Sequence, residues 1–351
     1  MYHFDPLSRY RIHPPDSGRH VSERPSIDPF AAITYRLVHD GLGGTYHAAL
    51  TPNVALLKPV VAPSLIHRAA AQQALQVHLP NKRLLMFPVG ACWSRHGAWR
   101  AMPVGVEDVC RGSSAYEAQL RARLERRLGA LSIDKTTTLP QGAASFFRDW
   151  LRRHPLPPMQ GQLAWAALAL PRERMCIALR DGTGLHGFAV AARGCDPYIE
   201  GFELEVLAHN RSVSPILGAW LVQRLAVELA QPLALGLSPL MGPVPVWLRG
   251  AKQLGEPLYP FASLATFKAR QASARERRLR FLLFPAGAGQ GSGTRAIRDL
   301  LNVFSGGSFR RFATSSLIHR LAPPLDPART PRHAALSESH SFPRTRKKST
   351  G

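Results

Sequence analysis

Leu235 to Phe284 reads LGLSPLMGPVPVWLRGAKQLGEPLYPFASLATFKARQASARERRLRFLLF. An apolar strand, LALGLSPL (233–240), runs into a turn. The aromatic pair Tyr259 and Phe261 and a lysine, Lys268, follow it. Arg270, Arg275, Arg277, Arg278 and Arg280 then lead into a second apolar strand. Strand, turn, helix and strand in this order belong to an α/β unit in which a basic run lies close to the sheet.

The stretches upstream fit the same unit. MCIALRD (175–181) and LHGFAVAARG (185–194), separated by a turn at Gly182 and Gly184, read as a strand hairpin. PYIEGFELEVLAH (197–209) reads as a further strand, and PILGAWLVQRLAVEL (215–229) as a helix. SFFRDWLRRH (145–154) and QLAWAALALP (162–171) read as helical. The first third repeats the pattern less clearly. ITYRLVHD and TYHAALT are strands around the turn Gly41–Gly44. NVALLKPVV, KRLLMFPV and AMPVGVEDV are further strands. SLIHRAAAQQALQV (64–77), with Ser64 as N-cap, and CWSRHGAW (92–99) read as helical. The clearest helix is AYEAQLRARLERRL (115–128), with Tyr116, Leu120, Leu124 and Leu128 on one stripe. Its Arg123, Arg126 and Arg127 share another face, at i, i+3 and i+4.

The expected divisions are a loosely ordered segment 1–28, units at 29–140 and 141–285, a helical extension at 286–321 and a disordered basic tail at 322–351. AGAGQGS (286–292) lacks the spacing and the closing Lys-Ser/Thr of a phosphate loop.

The charge is the outstanding feature of the composition. The 351 residues hold 38 Arg and 7 Lys against 23 acids, a net +22. The tail from Ala322 carries six basic and two acidic residues, so +18 lies on the rest. Such a balance suits a polyanionic partner, either nucleic acid or an anionic membrane surface. Cys92, Cys110, Cys176 and Cys195 have no C-x-x-C spacing and no histidine at zinc-ligand distance, so structural thiols and no metal are expected. The N-terminus has no apolar h-region, and no run approaches 18 apolar residues. A cytoplasmic protein, peripheral at most on the inner face of the membrane, is therefore expected.

The opening stretch resembles the end of the catalytic domain of the phosphatidylglycerol lysyltransferase (DUF2156-like) family, tandem GNAT-fold aminoacyltransferases that use aminoacyl-tRNA. The matching residues are Leu235, Gly236, Pro239, Leu240, Leu258, Tyr259, Phe261, Leu264, Phe267, Lys268, Arg278 and Phe281. The likeness covers about 30–285, weakly in the first half. It implies an α/β (α+β) fold of two GNAT-like domains and an acyl transfer from aminoacyl-tRNA to a lipid or amphipathic acceptor. It implies no cofactor beyond that donor. The 115–128 helix resembles the arginine-rich helix that joins the family's two halves.

On that resemblance Glu205, Tyr259 and Lys268 are the catalytic candidates, and Ser238, His209, Arg211 and Phe261 the substrate-binding ones. Arg123, Arg126, Arg127, Arg270, Arg277 and Arg278 would follow the tRNA phosphates. Lys268 would hold a phosphate of the tRNA end or of an anionic lipid. Read simply as residues, Glu205 also fits an outward strand position, Lys268 a surface lysine, Ser238 a turn, and the arginines a solvated helix face. Three departures stand out. The family's Asp-x-x-Arg reads Glu205 and Ala208 here, with His209 and Arg211 following. Its Gly-Asp-Pro reads Leu57-Lys58-Pro59. The family's membrane domain has no counterpart in this sequence. HNRSVSPILG (209–218) also lacks the glycine-rich loop by which a GNAT domain holds the pyrophosphate of coenzyme A. The competing readings are a degenerate GNAT pair that binds nucleic acid or anionic membrane without chemistry, and a transferase using coenzyme A or a carrier protein.

Overall fold

The computed structural model describes residues 34–91, 93, 98–153, 173–182, 184–194, 201–256, 259–273, 276–286, 293–304, 309–310 and 313–314. The segment 1–28, the tail 322–351 and the helix expected at 162–171 lie outside the described residues, as do Cys92, Cys195, Leu258 and most of 92–97.

Eleven strands form one sheet: β1 (Thr34–His39), β2 (Thr45–Leu50), β3 (Val54–Val61), β4 (Arg83–Val89), β5 (Trp99–Cys110), β6 (Ser132–Thr136), β7 (Arg174–Asp181), β8 (Gly184–Arg193), β9 (Phe202–His209), β10 (Leu233–Pro239) and β11 (Arg277–Pro285). The helices are α1 (Arg68–His78), α2 (Ser114–Leu128), α3 (Ala143–Arg153), α4 (Leu217–Leu229), α5 (Val246–Gly255), α6 (Phe261–Gln271) and α7 (Gly293–Phe304). Across the sheet the order is β1-β2-β3-β4-β11-β5-β10-β9-β8-β7-β6.

That order contains one motif twice. Antiparallel strands lead into β3, α1 crosses over, and β4 pairs parallel to β3. Antiparallel strands likewise lead into β9, α4 crosses over, and β10 pairs parallel to β9. The last strand of each copy crosses to the other: β5 pairs with β10, β11 with β4, and β5 with β11. The two copies are therefore interlocked by strand exchange. β6 and α2 precede residue 141, yet β6 pairs with β7 and α2 packs on α4.

In both copies the parallel pairing stops early. β3 and β4 last pair at Leu57↔Met86, and β9 and β10 at Ala234↔Glu203. Beyond these points the strands part, leaving an opening in each half. Lys58 of β3 forms an ion pair with Glu203 of β9 at 3.1 Å, linking residues at the two partings. This ion pair ties the two halves together.

Packing follows the apolar pattern. α4 is buried on most of its surface, with Trp220, Leu221 and Leu225 against Ile177, Ala189 and Leu235. Leu120 and Leu124 of α2 join this core, flanked by Tyr116 and Leu128, as their four-residue spacing predicts. Ser113 caps α2 by accepting from the Tyr116 N–H at 3.3 Å. Glu117 in its first turn accepts from Trp220 Nε1 at 2.8 Å. On the first copy, Leu75 of α1 packs with Leu57 and Met86 on one face. Leu248 of α5 and Leu300 and Val303 of α7 pack with Leu56 and Phe284 on the other.

Some local expectations are corrected. A 3₁₀ turn at Leu65–His67 precedes α1, and Ser64 supplies its carbonyl to the His67 N–H at 3.0 Å, not a side-chain cap. The strand expected from residue 197 begins at Phe202. β6 and α5 were not expected. SIDKT is a polar edge strand without apolar alternation, and α5 has proline before it and Gly250 within it. Cys110 and Cys176 are free and buried, and burial raises both thiols, Cys176 to about 12.

Candidate active site

The opening between β9 and β10 is bordered by a distortion of β10. Ala234 pairs with Val109 and Leu237 with Glu107, so β10 carries one extra residue between them. Gly236 sits in this bulge at φ +73°, a left-handed conformation that costs glycine little. The bulge turns successive carbonyls toward α6. Lys268 Nζ donates to Gly236 O at 3.0 Å and to Leu237 O at 2.6 Å.

This arrangement constrains the lysine chemically. A tetrahedral nitrogen has four positions; Cε takes one and the two carbonyls take two. The fourth holds a proton when the group is charged and the lone pair when it is neutral. Burial disfavours the charged form and brings the Lys268 pKa down to about 8, although Glu107 and Asp108 pull it back up. Lys268 thus lies beside a parting of strands with its ammonium form disfavoured by burial.

Beneath the lysine lies a charged cluster that runs across the middle of the sheet. Glu107 and Arg280 are both buried and form an ion pair between β5 and β11. Asp108 is buried opposite the bulge, and its Oδ1 accepts from Arg277 Nε at 2.8 Å. These carboxylates were missed as site residues. The available signal was two adjacent acids inside the apolar strand AMPVGVEDV, in a chain short of acids. Gln223 of α4 was missed as well. Its Nε2 donates to Gln271 Oε1 at 3.1 Å and to Gln271 O at 3.2 Å, while its Oε1 accepts from Ser113 N at 3.2 Å. It ties the end of α6, three residues past Lys268, to α4 and to the cap of α2. Gln223→Leu is expected to cost about 1–3 kcal/mol, because it leaves buried groups unpaired. The check is a lower denaturant midpoint at unchanged m-value.

The predicted residues divide into groups. Tyr259 and Phe261 lie 4.8 Å apart between ring centroids, tilted at 54°, with Tyr259 packed against the core beneath α5. Burial lifts the Tyr259 hydroxyl to about 12, so it stays protonated at neutral pH. Lys268 lies seven residues, about two helical turns, beyond Phe261 on α6.

Glu205 occupies the bulge of β9 just past the last β9–β10 pair, and its carboxylate is held by Arg174 Nε at 2.8 Å. Its side chain is only 1% exposed, so it is not an outward strand residue. Arg174 comes from β7, and Ala208 is wholly buried in the core under α3. Ser238 does not lie in the turn. It lies within β10, paired with Val106 and fully buried, because the strand continues to Pro239. His209 lies close to the first turn of α4, where a Cβ on Gly218 would stand 2.5 Å from its Nε2. Arg211 is exposed in the following loop. Arg123, Arg126 and Arg127 form an exposed face of α2. Arg270 is exposed, Arg278 partly buried, and Arg277 is engaged by Asp108.

No group of three or more His, Cys, Asp or Glu among the described residues could hold a metal ion. No helix among them is long and apolar enough to cross a membrane.

The doubled strand–helix–strand motif with its partings is a tandem GNAT-like fold. Solved structures share it. One is the C-terminal domain (DUF2156) of a protein from Agrobacterium fabrum provisionally assigned as a lysylphosphatidylglycerol synthetase. It matches at TM-score 0.52 and 15% identity over 79% of this chain and 90% of that one. Another is L-PGS from Bacillus licheniformis, at TM-score 0.54 and 13% identity over 78% of this chain and 90% of that one. No protein-family profile matches the chain, and no curated protein matches it in sequence.

Proposed function

We propose that this chain is an acyltransferase that moves an aminoacyl group from aminoacyl-tRNA to a lipid or amphipathic acceptor. The observation that carries this reading is Lys268, buried and held by two bulge carbonyls beside the β9–β10 parting. The acceptor oxygen attacks the ester carbonyl of the donor while its proton passes to neutral Lys268 Nζ. The tetrahedral intermediate collapses, the carbon–oxygen bond to the ribose breaks, and the proton moves to the departing ribose oxygen. One ester replaces another, and the lysine is restored. Glu205, fixed by Arg174, and the Tyr259–Phe261 pair orient the donor and acceptor. The exposed arginines of α2, with Arg270, hold tRNA phosphates, which fits the net charge of +22.

The stretch HNRSVSPILG (209–218) lacks the glycine-rich loop by which a GNAT domain holds the pyrophosphate of coenzyme A, which supports this donor over coenzyme A. The test uses pooled tRNA charged with labelled amino acids and a crude lipid extract. Label is expected to enter the organic phase, and deacylated tRNA to suppress the transfer. A non-catalytic binding pair is the second reading, favoured by Lys58, which replaces the family's aspartate and is tied to Glu203. It predicts label that stays on bound tRNA.

A further inference from the structure

Helix α5 exposes an apolar stripe. Leu248 anchors it to the core, while Val246, Trp247 and Leu254 are 73%, 42% and 83% exposed. Gly250 and Ala251, also exposed, fall between them, so the stripe repeats at i, i+4 and i+7. Beside it opens a cleft of about 500 Å³, with Leu240, Met241 and Ala262 on its apolar side and Arg249 and Lys252 on its polar side.

Among the described residues the cations of this cleft have no carboxylate partner within ion-pair distance. Lys252 Nζ approaches the Met241 sulfur at 2.9 Å. Arg249 makes no ion pair among the described residues. The one acid lining the cleft, Glu256, is occupied by the Ala262 N–H at 3.0 Å. From Leu240 to Arg270 the chain carries four basic residues and one acidic residue. An exposed Trp/Leu/Val stripe beside unneutralised cations is the pattern of a helix that lies in the boundary of an anionic bilayer. Three large side chains on a ten-residue helix also offer far less than the roughly 800 Å² per partner of a stable protein interface.

We propose that α5 is the membrane-docking helix of this protein. Its Val246–Trp247–Leu254 stripe enters the headgroup boundary, and Arg249 and Lys252 meet a lipid phosphate at the mouth of the cleft. The proposal rests on the transfer reading only in naming the side from which a lipid acceptor arrives. α5 follows directly on β10, and the cleft adjoins the start of α6, which carries Lys268.

The experiment is co-sedimentation of the full chain with vesicles of phosphatidylcholine alone, or with added phosphatidylglycerol, at 150 mM salt. It needs no turnover, so its failure and that of the transfer reading are seen separately. The wild type is expected to partition onto the anionic vesicles. Trp247→Glu with Leu254→Glu, both surface changes, is expected to weaken partition at least about tenfold at unchanged melting temperature. Arg249→Ala with Lys252→Ala should remove most of the preference for anionic lipid. Val77→Glu, at an exposed apolar residue on α1, should bind as the wild type does. The proposal is overturned if the wild type ignores anionic vesicles, or if the α5 variant binds as tightly as the wild type. An equal loss from the α1 variant overturns it too. So does a wild-type dimer that the α5 variant dissociates, since a second copy would then be the occupant.

Discussion

Lys268→Met is expected to lower the turnover of acyl transfer by roughly 10²–10⁴-fold, the usual contribution of a positioned proton-transfer group. Methionine keeps most of the stem and its packing but removes the donor and the lone pair. The Gly236 and Leu237 carbonyls then lose their partner, a stability cost of about 1–3 kcal/mol, so activity must be compared at a temperature where both proteins are folded. The pH profile makes the test specific. Only the neutral amine accepts a proton, and burial places its pKa near 8. kcat/KM should rise about tenfold per pH unit below 8 and level off above it, and the limb should vanish in the variant. Glu107 and Asp108 raise the lysine's pKa, so Asp108→Asn should move the limb to lower pH. Stability carries the same signature with a definite sign. The folded pKa is below the ordinary value of 10.5, so the unfolded chain binds the extra proton between about 8 and 10.5. The penalty of a buried ammonium is complete below 8 and is relieved as pH rises through that window.

Glu107→Ala is expected to be the most destabilising single change in the sheet, at about 3–5 kcal/mol. Glu107 and Arg280 are each about 3% exposed, and the pair lies where β5 and β11 cross between the two copies. Removing the carboxylate takes from a buried guanidinium the counter-charge that Glu107 supplies. Much of the cost comes from the buried guanidinium losing that carboxylate, so Glu107→Leu combined with Arg280→Met should recover most of the loss. Denaturant unfolding of the two single variants and the double variant measures the coupling. If the loss of the double variant equals the sum of the two single losses, the pair does not act as a unit.

The sequence disclosed the parts of this fold that depend on local periodicity. The stripe of α2, the continuous apolarity of α4 and the runs of β3, β4 and β10 each follow from the spacing of neighbouring residues. The strand exchange of β5 and β11 was not legible, because a central strand reads the same whichever copy it pairs with. Lys268 stood out through the order of features from Gly236 to Arg280, and the lysine does meet the carbonyls of Gly236 and Leu237. Its setting was hidden. Glu107 and Asp108 come from more than a hundred residues upstream, and only the return of β11 brings their arginine partners to them. Ser238 shows the opposite error. A serine before a proline reads as a turn, but pairing with Val106 carries the strand through it. Glu205 lies in the bulge of β9, and the arginine that holds it comes from β7, a non-local contact that strand periodicity cannot show.

The most direct test of the central claim is a single-turnover measurement on aminoacyl-tRNA prebound to the wild type, Lys268→Ala or Arg270→Ala, with lipid extract as acceptor. tRNA affinity is measured in parallel. The account predicts that Lys268→Ala binds tRNA within about twofold of the wild type but loses transfer, while Arg270→Ala loses affinity and keeps its rate once loaded. Equal loss of affinity in the two variants, with no transfer by the wild type, would contradict it and leave a binding protein.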